Sequence, residues 1–223
     1  MNNKTYETSA AAVALLKDNG FTVAVAESCT GGLLSSYLTA VPGVSAVYEL
    51  GVTSYSCRIK NKILGVKEET LDAFGAVSEN TAREMAEGVR QKAGSDIGLS
   101  VTGVAGPDGS EGHAPGLVFI AAADKGGTRV KKLNIDPINR ETVRETAVKA
   151  SLLTRATKML STTLYSDWIS MEVMAGSDML TNRGRTGRVP MGCSVCFNVI
   201  ASFLSKKVGP YICLFINQKQ ENI

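Results

Sequence analysis

Ala24-Val25-Ala26-Glu27-Ser28-Cys29-Thr30-Gly31-Gly32 is the stretch from which the rest of the chain can be laid out. Phe21 to Ala26 is short, apolar and partly β-branched, the pattern of a buried strand. Leu33 to Val41 reads as a helix. Between them lie an acid, two hydroxyls, a thiol and two glycines. A strand that runs out into small polar residues and then a helix holds a side-chain nucleophile at the carboxyl edge of a sheet. It also points backbone N–H groups and the positive end of a helix dipole at whatever sits there. Gly31 and Gly32 would let an oxyanion approach the backbone. The simpler reading is a helix cap, with Ser28 or Thr30 as the N-cap and the glycines shaping the turn. No Gly-Lys-Ser/Thr follows, so this is no Walker motif, and it is not the dinucleotide-binding G-x-G-x-x-G.

Working outward, Tyr6 to Asp18 has helical spacing and stops near Gly20. Ser45 to Tyr55 is β-rich, with Gly51 as a candidate bulge. Arg58 to Leu64 and Glu68 to Phe74 are short helices, each ended by a glycine. Ser78 caps a longer helix that runs to Ala93. Ile97 to Thr102 and Gly116 to Ala123 are apolar strands on either side of a glycine-rich loop. Asp124-Lys125-Gly126-Gly127 is a hairpin turn into Thr128 to Ile135, whose Arg129, Lys131 and Lys132 suit a charge-protected edge. Asn139 opens a long helix to Leu160. This order predicts an α/β fold: a three-layer α/β/α domain over 1–160, with a mixed, mostly parallel sheet. Residues 161–223 change character and form an appendage without a repeat of the first part.

A chain of 223 residues can bury a full core. A net charge of +3 is too weak to argue for nucleic acid as a partner. No stretch approaches the roughly 18 to 20 apolar residues of a membrane span, and no leader is visible, so the expected address is the cytoplasm. Five cysteines are an odd count without the density of a disulfide scaffold, which also suits a reducing compartment. Cys193-x-x-Cys196 is half of a zinc pattern, and Cys213 does not complete it, so no metal is expected.

Serine needs a base to become a nucleophile. The single histidine, His113, lies in a polar loop and reads as solvent-facing. A lysine can serve if burial lowers its pKa, and Lys60, just after a strand end, is the candidate. Its simpler reading is a solvated helix lysine. Tyr55 would reach the same sheet edge. Cys29 beside a helix N-terminus is an alternative nucleophile. The loop Thr102-Gly103-Val104-Ala105-Gly106 leaves room for a phosphate or ribose, and Arg140 with Arg144, one turn apart, could clamp an anion.

Taken in order, Ala26 to Gly32, then Tyr55-Ser56 with Lys60, then Ser100-Val101-Thr102-Gly103-Val104-Ala105-Gly106-Pro107-Asp108-Gly109, then Arg140-Glu141-Thr142-Val143-Arg144, resemble the C-terminal domain of the CinA family (competence/damage-inducible protein). The resemblance covers about residues 5–160. It implies a three-layer fold and the activity of the family's stand-alone form. That activity is metal-independent hydrolysis of nicotinamide mononucleotide to nicotinate mononucleotide and ammonia, with no cofactor. Carried onto this chain, Ser28 would attack the carboxamide, Lys60 would serve as base, and Tyr55 would assist. Backbone N–H groups near Thr30 and Gly31, beside Gly32, would hold the oxyanion. Thr102, Gly103, Ala105, Gly106 and Arg140 would receive the ribose and phosphate. The family also suggests a homodimer.

Two features depart from the family. Cys57 stands where the family usually has asparagine, and the 161–223 segment has no counterpart in it. They support a second expectation, a non-catalytic relative that binds a nucleotide or a protein partner.

Overall fold

A computed structural model describes residues 1–153 of the chain. The segment 161–223, its cysteines Cys193, Cys196 and Cys213, and the helix end expected at Leu160 lie outside the described residues. Eleven elements follow one another: α1 (Asn3–Asp18), β1 (Val23–Glu27), α2 (Leu33–Thr39), β2 (Tyr48–Thr53), α3 (Cys57–Leu64), α4 (Glu68–Phe74), α5 (Glu79–Ala93), β3 (Ile97–Gly103), β4 (Leu117–Asp124), β5 (Gly127–Asn134) and α6, helical over 140–153. Asn139 caps α6, its Oδ1 accepting from the Thr142 N–H at 2.8 Å.

The sheet order is β2-β1-β3-β4-β5. β1 pairs in parallel with both β2 and β3, whereas β4 runs against β3 and β5. Only β4 is reversed, so the sheet is mixed with most strands in one sense, although its pairings divide evenly. The chain leaves β1 to one side for β2, then crosses back to place β3 on the other. The carboxyl end of β1 is therefore the point at which the order reverses, where α/β sheets open a crevice.

Alternation along β1 assigns the two faces. Val23 and Val25 join a core with Leu16 of α1, Leu34 and Leu38 of α2, and Val143 and Ala147 of α6. Ala24 and Ala26 face the other way, toward Leu64 of α3 and Met85 and Val89 of α5. The small side chains let α5 lie close to the sheet. At Gly98 of β3 a Cβ would stand 2.1 Å from the Ala86 carbonyl oxygen of α5, a contact no side chain survives. Helices thus cover both faces, giving the three layers.

Three local expectations shift. Helix α1 begins at Asn3 rather than Tyr6, because Asn2 caps it, accepting from the N–H groups of Lys4 and Thr5. The run from Ser45 enters through a 3-10 turn, and only Tyr48–Thr53 is strand. Its irregularity falls between Tyr48 and Leu50, not at Gly51. Gly51 instead answers crowding, since a Cβ there would meet the Tyr48 hydroxyl at 2.1 Å.

Candidate active site

The loop after β1 is pinned on both sides. The Ser28 N–H donates to the Val101 carbonyl of β3 at 2.9 Å, and the Ser54 N–H donates to the Glu27 carbonyl at 2.8 Å. Gly31 and Gly32 turn the chain at φ +59° and +93°, a region that suits glycine. On the α3 side, Ser56 caps the helix and Lys60 lies one turn in. Lys60 is fully buried. Its Nζ donates to Ser28 Oγ at 2.9 Å and to the Ser54 carbonyl at 2.6 Å. The solvated-lysine reading is thereby excluded. Burial is the main influence on its pKa and lowers it, while Cys57, Cys29 and Glu111 raise it.

A cavity of about 190 Å³ opens beside this pair. Of the residues expected to bind substrate, Gly103, Ala105, Gly106 and Arg140 line it, together with Ser28 and Tyr55. Arg140 donates to the Gly106 carbonyl and, at 3.0 Å, to the Tyr55 hydroxyl. Tyr55 is 64% exposed and meets Arg140 rather than Lys60. It stands as a wall of the cavity, with no direct bond to the dyad.

The α2 terminus is where the sequence expectation fails. Glu27, with no exposed surface, fills it. Its Oε2 accepts from the N–H groups of Gly32 and Leu34, each at 3.0 Å. Its Oε1 accepts from the Ser35 N–H and hydroxyl at 2.8 and 2.6 Å. Neither Ser28 nor Thr30 caps α2, and no ligand can use donors already held. The Gly31 N–H is likewise spent on the Ser28 carbonyl at 3.0 Å. Gly31 and Gly32 are therefore turn residues, not oxyanion donors. A lone acid at the end of an apolar strand was the available signal, since a buried carboxylate must be paired.

Thr30 and Thr102 are buried and line no part of the cavity. Thr102 donates its hydroxyl to the Ala76 carbonyl. Arg144 is no anion clamp either: its Nε and Nη2 donate to the Thr30 carbonyl at 3.3 and 2.7 Å, holding the loop to α6. His113 pairs through its backbone with Ser110 and does not line the cavity. Glu111 does line it, on a loop read from sequence as merely solvated. Its Oε2 accepts from the N–H groups of Ala76 and Val77.

The family model of the CinA C-terminal domain matches residues 5–159. The chain belongs to the CinA family. It is 54% identical over 138 residues to a protein of Acetivibrio thermocellus named for competence-damage induction, covering 61% of this chain and 33% of that one. It is 50% identical over 141 residues to a CinA-like protein of Kosmotoga olearia, with coverage of 63% and 34%. The chain thus spans about a third of the length of these curated relatives. Among solved structures, competence damage-inducible protein A of Klebsiella pneumoniae superposes with a TM-score of 0.68 at 38% identity, over 71% of this chain and 98% of that one. CihA of Agrobacterium tumefaciens gives 0.68 at 34%, over 70% and 96%.

In this CinA-family chain Cys57 opens α3 at the surface, three residues before Lys60. Cys29 is buried, and desolvation pushes its thiol up to about 11. The thiolate expected at a helix N-terminus is disfavoured, because Glu27 has taken that terminus and burial outweighs the rest. Cys29→Ala should retain the turnover of the wild type within about threefold in a single-variant assay, as expected for a small buried side chain. A complete loss with Ser28→Ala still active would make the thiol the nucleophile. Among the described residues, no group of three His, Cys, Asp or Glu side chains is placed to hold a metal ion. No helix among them is long and apolar enough to cross a membrane.

Proposed function

We infer that this domain hydrolyses the carboxamide of nicotinamide mononucleotide, giving nicotinate mononucleotide and ammonia. The observation that carries the reading is the buried Lys60 amine 2.9 Å from Ser28 Oγ, beside a cavity that Arg140 also lines. Membership of the CinA family supports the substrate.

In the neutral state the Lys60 amine keeps one N–H on the Ser54 carbonyl and turns its lone pair to Ser28. It takes the Ser28 hydroxyl proton as Oγ bonds to the amide carbon. The oxyanion falls to the N–H of Cys29, which lines the cavity directly after Ser28. The Lys60 ammonium then gives its proton to the departing nitrogen, the C–N bond breaks, and ammonia leaves. Water, deprotonated by Lys60, then adds to the acyl-serine ester; the carbon–Oγ bond breaks, the Lys60 ammonium returns its proton to Ser28 Oγ, and the carboxylate product leaves. Arg140 and the backbone of Gly103 to Gly106 receive the ribose phosphate.

The test is ammonia release from the mononucleotide by purified protein, followed across pH. Only neutral Lys60 can accept the serine proton, and burial lowers its pKa below the usual 10.5. The expected kcat/KM therefore rises with pH through a window below that of an ordinary lysine and then levels. Stability follows the same sign. Between the folded and unfolded lysine pKa values the unfolded chain binds more protons, so folding strengthens as pH rises there. A rate that falls over that window would exclude Lys60 as the base. A protein that is folded yet releases no ammonia at any pH would exclude the activity.

A further inference from the structure

Two side-chain atoms among the described residues are buried with no hydrogen-bond partner: Thr30 Oγ1 and Ser54 Oγ. An orphaned buried hydroxyl costs about 1–3 kcal/mol, so it asks for a reason. The Thr30 carbonyl is held toward α6 by Arg144, away from α3. Ser54 is placed differently. Its backbone carbonyl already accepts from Lys60 Nζ, and its N–H pairs with the Glu27 carbonyl, one step beyond the Glu27–Thr53 register.

The pleat settles the face of the sheet on which Ser54 lies. Ala24 and Ala26 of β1 and Leu50 and Val52 of β2 pack in one cluster with Leu64 of α3. Ser28 and Ser54 continue those two alternating series, so both hydroxyls belong to the face that α3 covers. Ser28 confirms the rule by meeting Lys60 there.

A neutral lysine amine has two N–H donors and one lone pair. The ammonium has three donors and no lone pair. Protonation of Lys60 therefore creates a third N–H in a buried place where the Ser54 carbonyl and Ser28 Oγ supply two acceptors. We propose that Ser54 is a positioning residue of the dyad, whose hydroxyl, reoriented about its Cα–Cβ bond, accepts the third N–H of Lys60 only while that side chain is charged. The hydroxyl is then unsatisfied in the resting enzyme and satisfied in the tetrahedral intermediate. Such a bond is stronger in the transition state than in the ground state, which is the condition for raising kcat. The inference rests on the Ser28–Lys60 reading but not on the identity of the amide.

The test compares wild type, Ser54→Ala and Ser54→Thr in the full chain. A hydrogen bond to a charged group predicts a plateau kcat lower by about ten- to a hundredfold in Ser54→Ala, with KM for nicotinamide mononucleotide unchanged. The rise of kcat/KM moves to lower pH, because the ammonium has lost an acceptor. Ser54→Thr, which keeps the hydroxyl, restores both. Cys29 on the nucleophile loop, Cys57 on α3 and Glu111 on the loop after β3 also bear on Lys60 and are unchanged throughout. A second readout needs no substrate: NMR titration of the isotope-labelled Lys60 side chain, expected to shift downward in Ser54→Ala alone. Thermal melting of Ser54→Ala should match or exceed the wild type, since no native bond is lost. An unmoved Lys60 titration, or a melting temperature clearly below wild type, would overturn the proposal. If the wild type left the mononucleotide intact while the titration shifted as expected, the substrate reading would fail and this one would stand.

Discussion

Lys60→Met is expected to abolish the proposed ammonia release without lowering the melting temperature. The loss follows from the chemistry. A positioned general base is worth about 10²–10⁴ in rate, and Ser28 has no other base at hydrogen-bond distance among the described residues. Ser28→Ala is expected to fall as far, and the double variant no further, because the two act as one unit. The stability half of the prediction weighs two terms. Methionine leaves the Ser54 carbonyl without its donor, at about 1–3 kcal/mol. It also removes an amine whose charged form carries a desolvation penalty of several kcal/mol, with only a carbonyl and a hydroxyl for partners. The second term is at least as large as the first. Turnover assays beside thermal melts measure both. Activity within tenfold of wild type would show that another group takes the proton. A large fall in melting temperature would mean that Lys60 is there to hold α3 against the sheet.

Glu27→Ala is expected to destabilise the domain by several kcal/mol, since each buried donor left without its acceptor costs about 1–3 kcal/mol. The carboxylate serves four donors at once: the N–H groups of Gly32, Leu34 and Ser35 and the Ser35 hydroxyl. Alanine strands all of them at the start of a helix only seven residues long. Domains of this kind are stable by about 5–15 kcal/mol, so the loss is a large part of the whole. Glu27→Gln should fall between, because its amide offers one acceptor oxygen and turns an NH₂ toward donors. The urea midpoint, at constant m-value, reads the difference. A change below about 1 kcal/mol in Glu27→Ala would show that water replaces the carboxylate at little cost. Since the same loop carries Ser28, turnover in the surviving folded fraction should drop as well.

Much of the fold was legible because its signals are local. Ser78 caps α5, Gly65 and Gly94 close α3 and α5, and the two-residue turn at Lys125-Gly126 joins β4 to β5. Each depends on a few neighbouring residues, so spacing and residue type suffice. The candidate dyad was legible in a weaker sense. Ser28 and Lys60 could be named, but on spacing alone a solvated lysine was the simpler reading. Only burial and the 2.9 Å contact chose between them.

The sequence by itself determined the element types, the mixed α/β class and the set of residue types from which a site could be made. Tertiary structure decided which of them meet. Glu27, not a hydroxyl, took the α2 terminus, because the strand end aims its side chain back under the helix. Arg144 went to a backbone carbonyl and Arg140 to the cavity, though both lie on one helix a turn apart. Ser28 was brought to Lys60, 32 residues further along the chain, by the pairing of β1 with β2 and the packing of α3. Hydrogen-bond donors and acceptors are interchangeable on paper. Their partners are settled only when packing fixes distance and excludes water, and that information is not carried by any one stretch of the chain.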